Sequence, residues 1–204
     1  MITRALSLKP VVVHQMKGEN LMNRDEALAF VREKVKDEDL IKHLLATEAI
    51  MRGLARRLGQ DEEKWGLTGL LHDIDYEVTK DAPEKHAIIG AEWLKERGLD
   101  EEIVHAVRAH AHSEIPRESL LDKALYATDP LSGLITAVAY VMPSRTLAEV
   151  KVRSIKKKFK DKSFARGASR EQIRTCEELG ITLEEFFEIA LKAMQEIAPS
   201  LGLA

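Results

Sequence analysis

His72 and Asp73 close the apolar stretch Gly69-Leu-Leu-His72-Asp73-Ile-Asp75, where adjacent imidazole and carboxylate groups can chelate one metal ion. A His-Asp pair is common by chance, so its weight depends on partners. His43 upstream and Asp129 downstream supply them, with His86 and His110 lying between. Two imidazoles and two carboxylates make a borderline-to-hard nitrogen and oxygen environment, suited to manganese, iron, cobalt, nickel or zinc and unsuited to copper(I). That chemistry would make the chain a metallohydrolase.

His43, His72-Asp73 and Asp129 lie far apart in sequence, so only the packing of three different helices can join them. Asn23-Arg-Asp-Glu26 reads as a capping box, and helix begins there. Asp37 to Leu58 carries Leu40, Ile41, Leu44, Leu45, Ile50, Met51, Leu54 and Leu58 at helical intervals, with Gly59 as its stop; His43 sits beside that stripe. Asp61-Glu-Glu63 opens the next helix, and Trp65 to Leu71 leads into His72. Glu84 to Arg97 predicts a helix holding His86, while Asp100 caps another through Ala111 that holds His105 and His110. Glu118 to Met142 contains Asp129-Pro130, where the proline should kink or restart the helix. Helices over 147–159, 169–179 and 183–201 follow, and no strand alternation appears, so the fold class is all-α.

The 204 residues fit one domain plus a modest extension. Residues 1–22 read as a loosely held arm, with Met16 and Met22 as alternative starts. Residues 23–142 read as the metal-binding helical domain, and 143–204 as a helical extension packed on it. A net charge of -3, from 31 basic and 34 acidic side chains, gives no global field for nucleic acid or anionic membrane. The single cysteine, Cys176, excludes an intrachain disulfide, and no run reaches the roughly 18 apolar residues of a membrane span. A cytoplasmic protein is expected, with neither nucleic acid nor membrane as partner.

The order and context of these residues resemble the HD-domain metal-dependent phosphohydrolase superfamily. Its signature is a histidine, then His-Asp, then a distant aspartate on a helical bundle. The corresponding stretches here are Lys42-His43-Leu-Leu, Leu70-Leu-His72-Asp73 and Tyr126-Ala-Thr-Asp129. Lys85-His86-Ala-Ile-Ile-Gly-Ala91 and Ile103-Val-His-Ala-Val-Arg-Ala-His110 look like the block that follows the pair in the HDIG branch, where two histidines can hold a second metal. His72-Asp73-Ile74-Asp75-Tyr76 stands where that branch reads His-Asp-Ile-Gly-Lys, so the lysine acid of its cyclic-dinucleotide phosphodiesterases is missing.

The resemblance implies hydrolysis of a small phosphate ester, with a nucleotide as the leading class. A bound divalent ion brings the pKa of its water from 15.7 towards about 7 and polarises a phosphoryl oxygen. The expected ligands are His43, His72, Asp73 and Asp129 for one ion; whether His86 and His110 hold a second stays open. Asp73 would bridge two ions, and Asp75, Glu77 and His112 are candidates for proton traffic, Asp75 first because it follows the ligand pair. Cyclic (di)nucleotide phosphodiesterase activity and a metal-stabilised binding module are the alternatives.

Other features read plainly. His105 reads as a packed helix residue and His14 and His112 as surface. The Lys156-Lys-Lys-Phe-Lys160 run is a solvated face. Amphipathic helices beyond Leu147 suggest a wall over the bundle or a homodimer surface.

Overall fold

The structure, a computed structural model, describes residues 22–204; the arm expected over 1–22 lies outside the described residues apart from Met22. α1 (Arg24–Lys34) begins on the expected capping box: the Asn23 side chain accepts the Glu26 N–H at 3.0 Å, and the Glu26 carboxylate accepts the Asn23 N–H at 2.9 Å. α2 (Glu38–Leu58) starts on the Asp37 carboxylate and stops at Gly59, which takes the left-handed backbone that a side chain disfavours. α3 (Glu62–Leu71) starts on Asp61 and ends at His72. A short turn leads to α4 (Tyr76–Thr79), a 3-10 turn (Pro83–Lys85) and α5 (Ile88–Glu96). α6 (Glu101–Ala111) is capped by Asp100, and α7 (Leu120–Tyr140) by a second capping box between Ser119 and Asp122.

The remainder is α8 (Val152–Lys160), α9 (Arg170–Arg174), α10 (Leu183–Glu196) and α11 (Ala198–Leu201). All regular structure among the described residues is helical, and no helix there is long and apolar enough to cross a membrane.

Two apolar clusters divide the core, and α2 feeds both. Ile41 and Leu44 join Phe30, Val31, Leu70, Leu71, Ile103 and Val107 on one side. Ile50, Met51 and Leu54 join Leu131, Ile135, Phe186, Phe187 and Met194 on the other. Each large side chain so buried stabilises the fold by about 1.5–3 kcal/mol. The four elements that carry candidate ligands, α2, α3, α6 and α7, are thereby locked to one another, with α10 against α2 and α9 against α7.

The closest approach is between α2 and α3. A Cβ on Gly69 would come within 2.9 Å of the Glu48 and Thr47 backbones, so only glycine allows these helices to pack there. Beside that contact the buried Glu48 carboxylate takes a bidentate bond from Arg24, at 2.7 and 3.0 Å, and a third from Arg52 at 3.0 Å.

Four expectations are corrected. α7 runs on through Pro130 without restarting. The Tyr126 carbonyl, which Pro130 has no N–H to serve, accepts the Gln172 amide at 2.8 Å instead. His86 is not on a helix: its backbone is extended (ψ 141°) and Ala87 takes left-handed φ 64°, so α5 starts at Ile88. Residues 147–159 and 169–179 split into 3-10 turns (Leu147–Glu149, Thr175–Leu179) beside α8 and α9. The last helix breaks at Ile197, because Pro199 cannot bond back to Gln195.

Candidate metal centre

Four imidazoles converge on one carboxylate, and the bonds on their far sides fix which nitrogen points inward. The His72 ring is fully buried, and its Nδ1 donates to the Gly69 carbonyl at 2.9 Å. His110 Nδ1 donates to the Val107 carbonyl. The Ser132 hydroxyl donates to the Asp129 carbonyl at 3.0 Å, leaving its oxygen to accept His43 Nδ1 at 2.9 Å. His86 Nδ1 donates to Asp75 Oδ1 at 2.9 Å. Each Nδ1 carries a proton, so in the neutral ring each Nε2 presents a lone pair to the interior, the tautomer a metal ligand needs.

Those Nε2 atoms gather around Asp73. His72, His86 and His110 lie 3.4, 3.3 and 3.1 Å from its Oδ1, and His43 lies 3.6 Å from its Oδ2. Asp129 Oδ1 is 3.3 Å from His43 and 3.8 Å from His72. The result is two donor sets with a shared member: His43, His72, Asp73 and Asp129, and then Asp73, His86 and His110, each set with ligand atoms within 4.8 Å of one another. His43 and Asp129 keep side-chain exposures of 23% and 29%, so the cluster opens to solvent on their side.

The electrostatics fit a cation. Burial opposes charge on His72, yet the Asp73 and Asp129 carboxylates outweigh it and raise the imidazole to about 9. Burial likewise opposes charge on His86, and bonds from Asp73 and Asp75 raise it to about 10. Burial would lift the Asp73 and Asp129 carboxyls; the surrounding imidazoles hold both below their ordinary value, Asp73 through His72, His110 and His86 and Asp129 through His43 and His72. His43 Nε2 faces His72 Nε2 at 3.2 Å, so one cation must lie between them, the His72 proton in the metal-free chain or a metal ion in its place. A divalent transition-metal ion meets that demand with this donor set.

The proton-traffic candidates are placed differently from one another. Asp75 is wholly buried, with Oδ1 on His86 and Oδ2 accepting the Gly90 N–H at 2.7 Å. Glu77 faces away, accepting the Lys36 and Asp37 N–H groups at the start of α2. His112, expected at the surface, is largely covered: its Nε2 donates to the His86 carbonyl at 2.7 Å, which helps hold the unusual backbone there. His105 bonds to Asp122 at 3.0 Å. Arg52 and Arg56 are taken up by Glu48, Glu63 and Glu62, and Lys80, Lys85, Arg108 and Arg145 are exposed.

Sequence reasoning missed Ser132 and the carbonyl of Gly69. Both sit three residues from a ligand on its own helix, and that spacing was the available signal.

The HD domain family model matches residues 40–138. These residues form an HD domain. It runs from α2 to near the end of α7 and contains His43, His72, Asp73, His86, His110 and Asp129, whereas α8 to α11 lie beyond it. The chain is similar to "Ribonuclease Y" of Oleidesulfovibrio alaskensis, 36% identical over 96 residues that make up 47% of this chain and 18% of the relative. It is 38% identical over 96 residues to the Lawsonia intracellularis protein of that name, again 47% and 18%. With the Desulfotalea psychrophila protein the identity is 33% over 137 residues, 66% of this chain and 26% of the relative. The chain thus spans about a fifth to a quarter of the length of these curated relatives.

Proposed function

We propose that the HD domain is a metal-dependent phosphohydrolase acting on a small phosphate ester of the nucleotide class, with two ions held side by side. One observation carries this reading: Asp73 is shared by two candidate donor sets, one of four residues and one of three. Ions there would supply Lewis acidity to a phosphoryl oxygen and an acidified water at neutral pH.

The chain's own residues do the positioning. Asp73 would bridge, with His43, His72 and Asp129 on one ion and His86 and His110 on the other. Ser132 and the Gly69 and Val107 carbonyls hold three of the rings in the ligating tautomer, and Asp75 holds the fourth. Asp75 is therefore a positioning residue. Beside His43 a cavity of about 210 Å³, lined by Lys42, Thr136, Tyr140 and Leu203, supports a small organic group next to the phosphate.

A second reading is cleavage of an RNA phosphodiester, favoured by the name of the relatives. Purified protein loaded with manganese, cobalt or nickel is offered nucleoside monophosphates, a cyclic dinucleotide and single-stranded RNA. Phosphate release that Asp73→Ala abolishes supports the first reading. Shortened RNA without phosphate release supports the second, and a linear dinucleotide supports the cyclic-dinucleotide alternative. A full metal complement with no product from any substrate would leave a metal-stabilised binding module.

A further inference from the structure

Outside the HD domain, a cavity of about 560 Å³ opens between α8 and α9, and none of its lining residues belongs to the metal centre. Lys160, Lys162, Arg166, Arg170 and Arg174 line it against a single carboxylate, Glu171.

One of these cations is scaffold. The Arg170 guanidinium donates to the carbonyls of Lys158, Phe159, Asp161, Phe164, Ala165 and Ala168, tying the end of α8 and the loop after it to the start of α9. Its donors are spent there, which makes the loop a built wall. Ala165 accepts left-handed φ 45° within that wall.

The others are available. Lys160, Lys162 and Arg166 are exposed and form no ion pair among the described residues, and Arg174 rests over the Phe159 ring at 5.1 Å. Of the neighbouring lysines of α8, Lys156 pairs with Glu184 at 2.9 Å and Lys158 lies over the Phe164 ring at 4.4 Å, while Lys157 is exposed and forms no ion pair among the described residues. Like charges held together by a rigid loop repel, and an anion with several charges removes that cost.

We propose that this cavity is a second, non-catalytic site for a compact phosphate-rich small molecule with the charge of a di- or triphosphate. Its size lies within the roughly 300–1,000 Å³ of small-molecule sites. Lysine and arginine are the side chains that pair with phosphate oxygens. The free cations line a concavity, whereas a polynucleotide would call for an extended stripe. Gln172, on the same short helix, bonds to the Tyr126 carbonyl one turn before Asp129, so the site abuts α7.

The test is calorimetric titration of the full chain with inorganic tripolyphosphate, as purified and again with EDTA so that no metal mediates binding. One equivalent should bind in both conditions. Lys162→Glu and Arg166→Glu, both at exposed positions, should each weaken binding about tenfold or more, with unchanged circular dichroism. The proposal is overturned by absence of binding, by equal binding in the charge-reversed variants, or by loss of binding in EDTA. It is also overturned if single-stranded RNA binds more tightly than tripolyphosphate, which would mark an extended nucleic-acid face.

Discussion

His86 is held by Asp75, a carboxylate at the position that reads glycine in the HDIG motif this chain resembles. Oδ1 of the buried Asp75 takes the His86 Nδ1 proton at 2.9 Å, and Oδ2 takes the Gly90 N–H at 2.7 Å. Asparagine cannot reproduce this arrangement, because its NH2 would meet a donor at one of the two sites. Asp75→Asn should therefore weaken binding of the second ion about 10–100-fold and leave the first nearly unchanged. A two-step metal titration that keeps both steps in the variant would sink this assignment.

The contact at Gly69 makes a prediction about stability. Alanine is the better helix former by about 1 kcal/mol, but its Cβ would lie 2.9 Å from the α2 backbone. Gly69→Ala should cost a net 1–3 kcal/mol or so, lowering Tm by several degrees and reducing metal loading, since His72 hangs on the Gly69 carbonyl. Gly133→Ala in α7 meets nothing within 4 Å and should stabilise slightly. Thermal melts of the two variants check the contrast; equal melting temperatures would contradict it.

Protons and metal compete for the same nitrogens. In the metal-free chain His72 and His86 are raised to about 9 and 10, so both are protonated at neutral pH. Metal uptake there should release protons, and apparent affinity should rise with pH until about 9–10. The same shift sets the stability of the metal-free chain. Because the folded values exceed the ordinary imidazole value near 6.5, this contribution is complete below about 6.5 and is lost as pH rises through 9–10. Calorimetry in buffers of different ionisation enthalpy measures the release, and zero protons at neutral pH would be the contrary outcome.

Helix starts were legible because they depend on local chemistry, and the histidines and aspartates singled out by type and order do gather in one cluster. Asn23, Asp37, Asp61, Asp100 and Ser169 cap the helices they precede. What could not be read were long-range substitutions for a missing local bond. Pro130 should have disrupted α7, but the freed Tyr126 carbonyl is served by Gln172 from the C-terminal helices. His86 should have been helical, but Asp75 and His112 hold its ring and its carbonyl in place across a left-handed Ala87. Glu77 shows the opposite case, a carboxylate close to the ligands in sequence that turns away to serve the start of α2.

Anomalous diffraction from crystals of the metal-loaded chain, recorded across the absorption edge of the loaded metal, tests the shared-carboxylate centre most directly. Two peaks are expected to flank the Asp73 carboxylate, one among His43, His72 and Asp129 and the other against His86 and His110. A single peak that leaves His86 and His110 without a metal, or peaks away from Asp73, would contradict this arrangement.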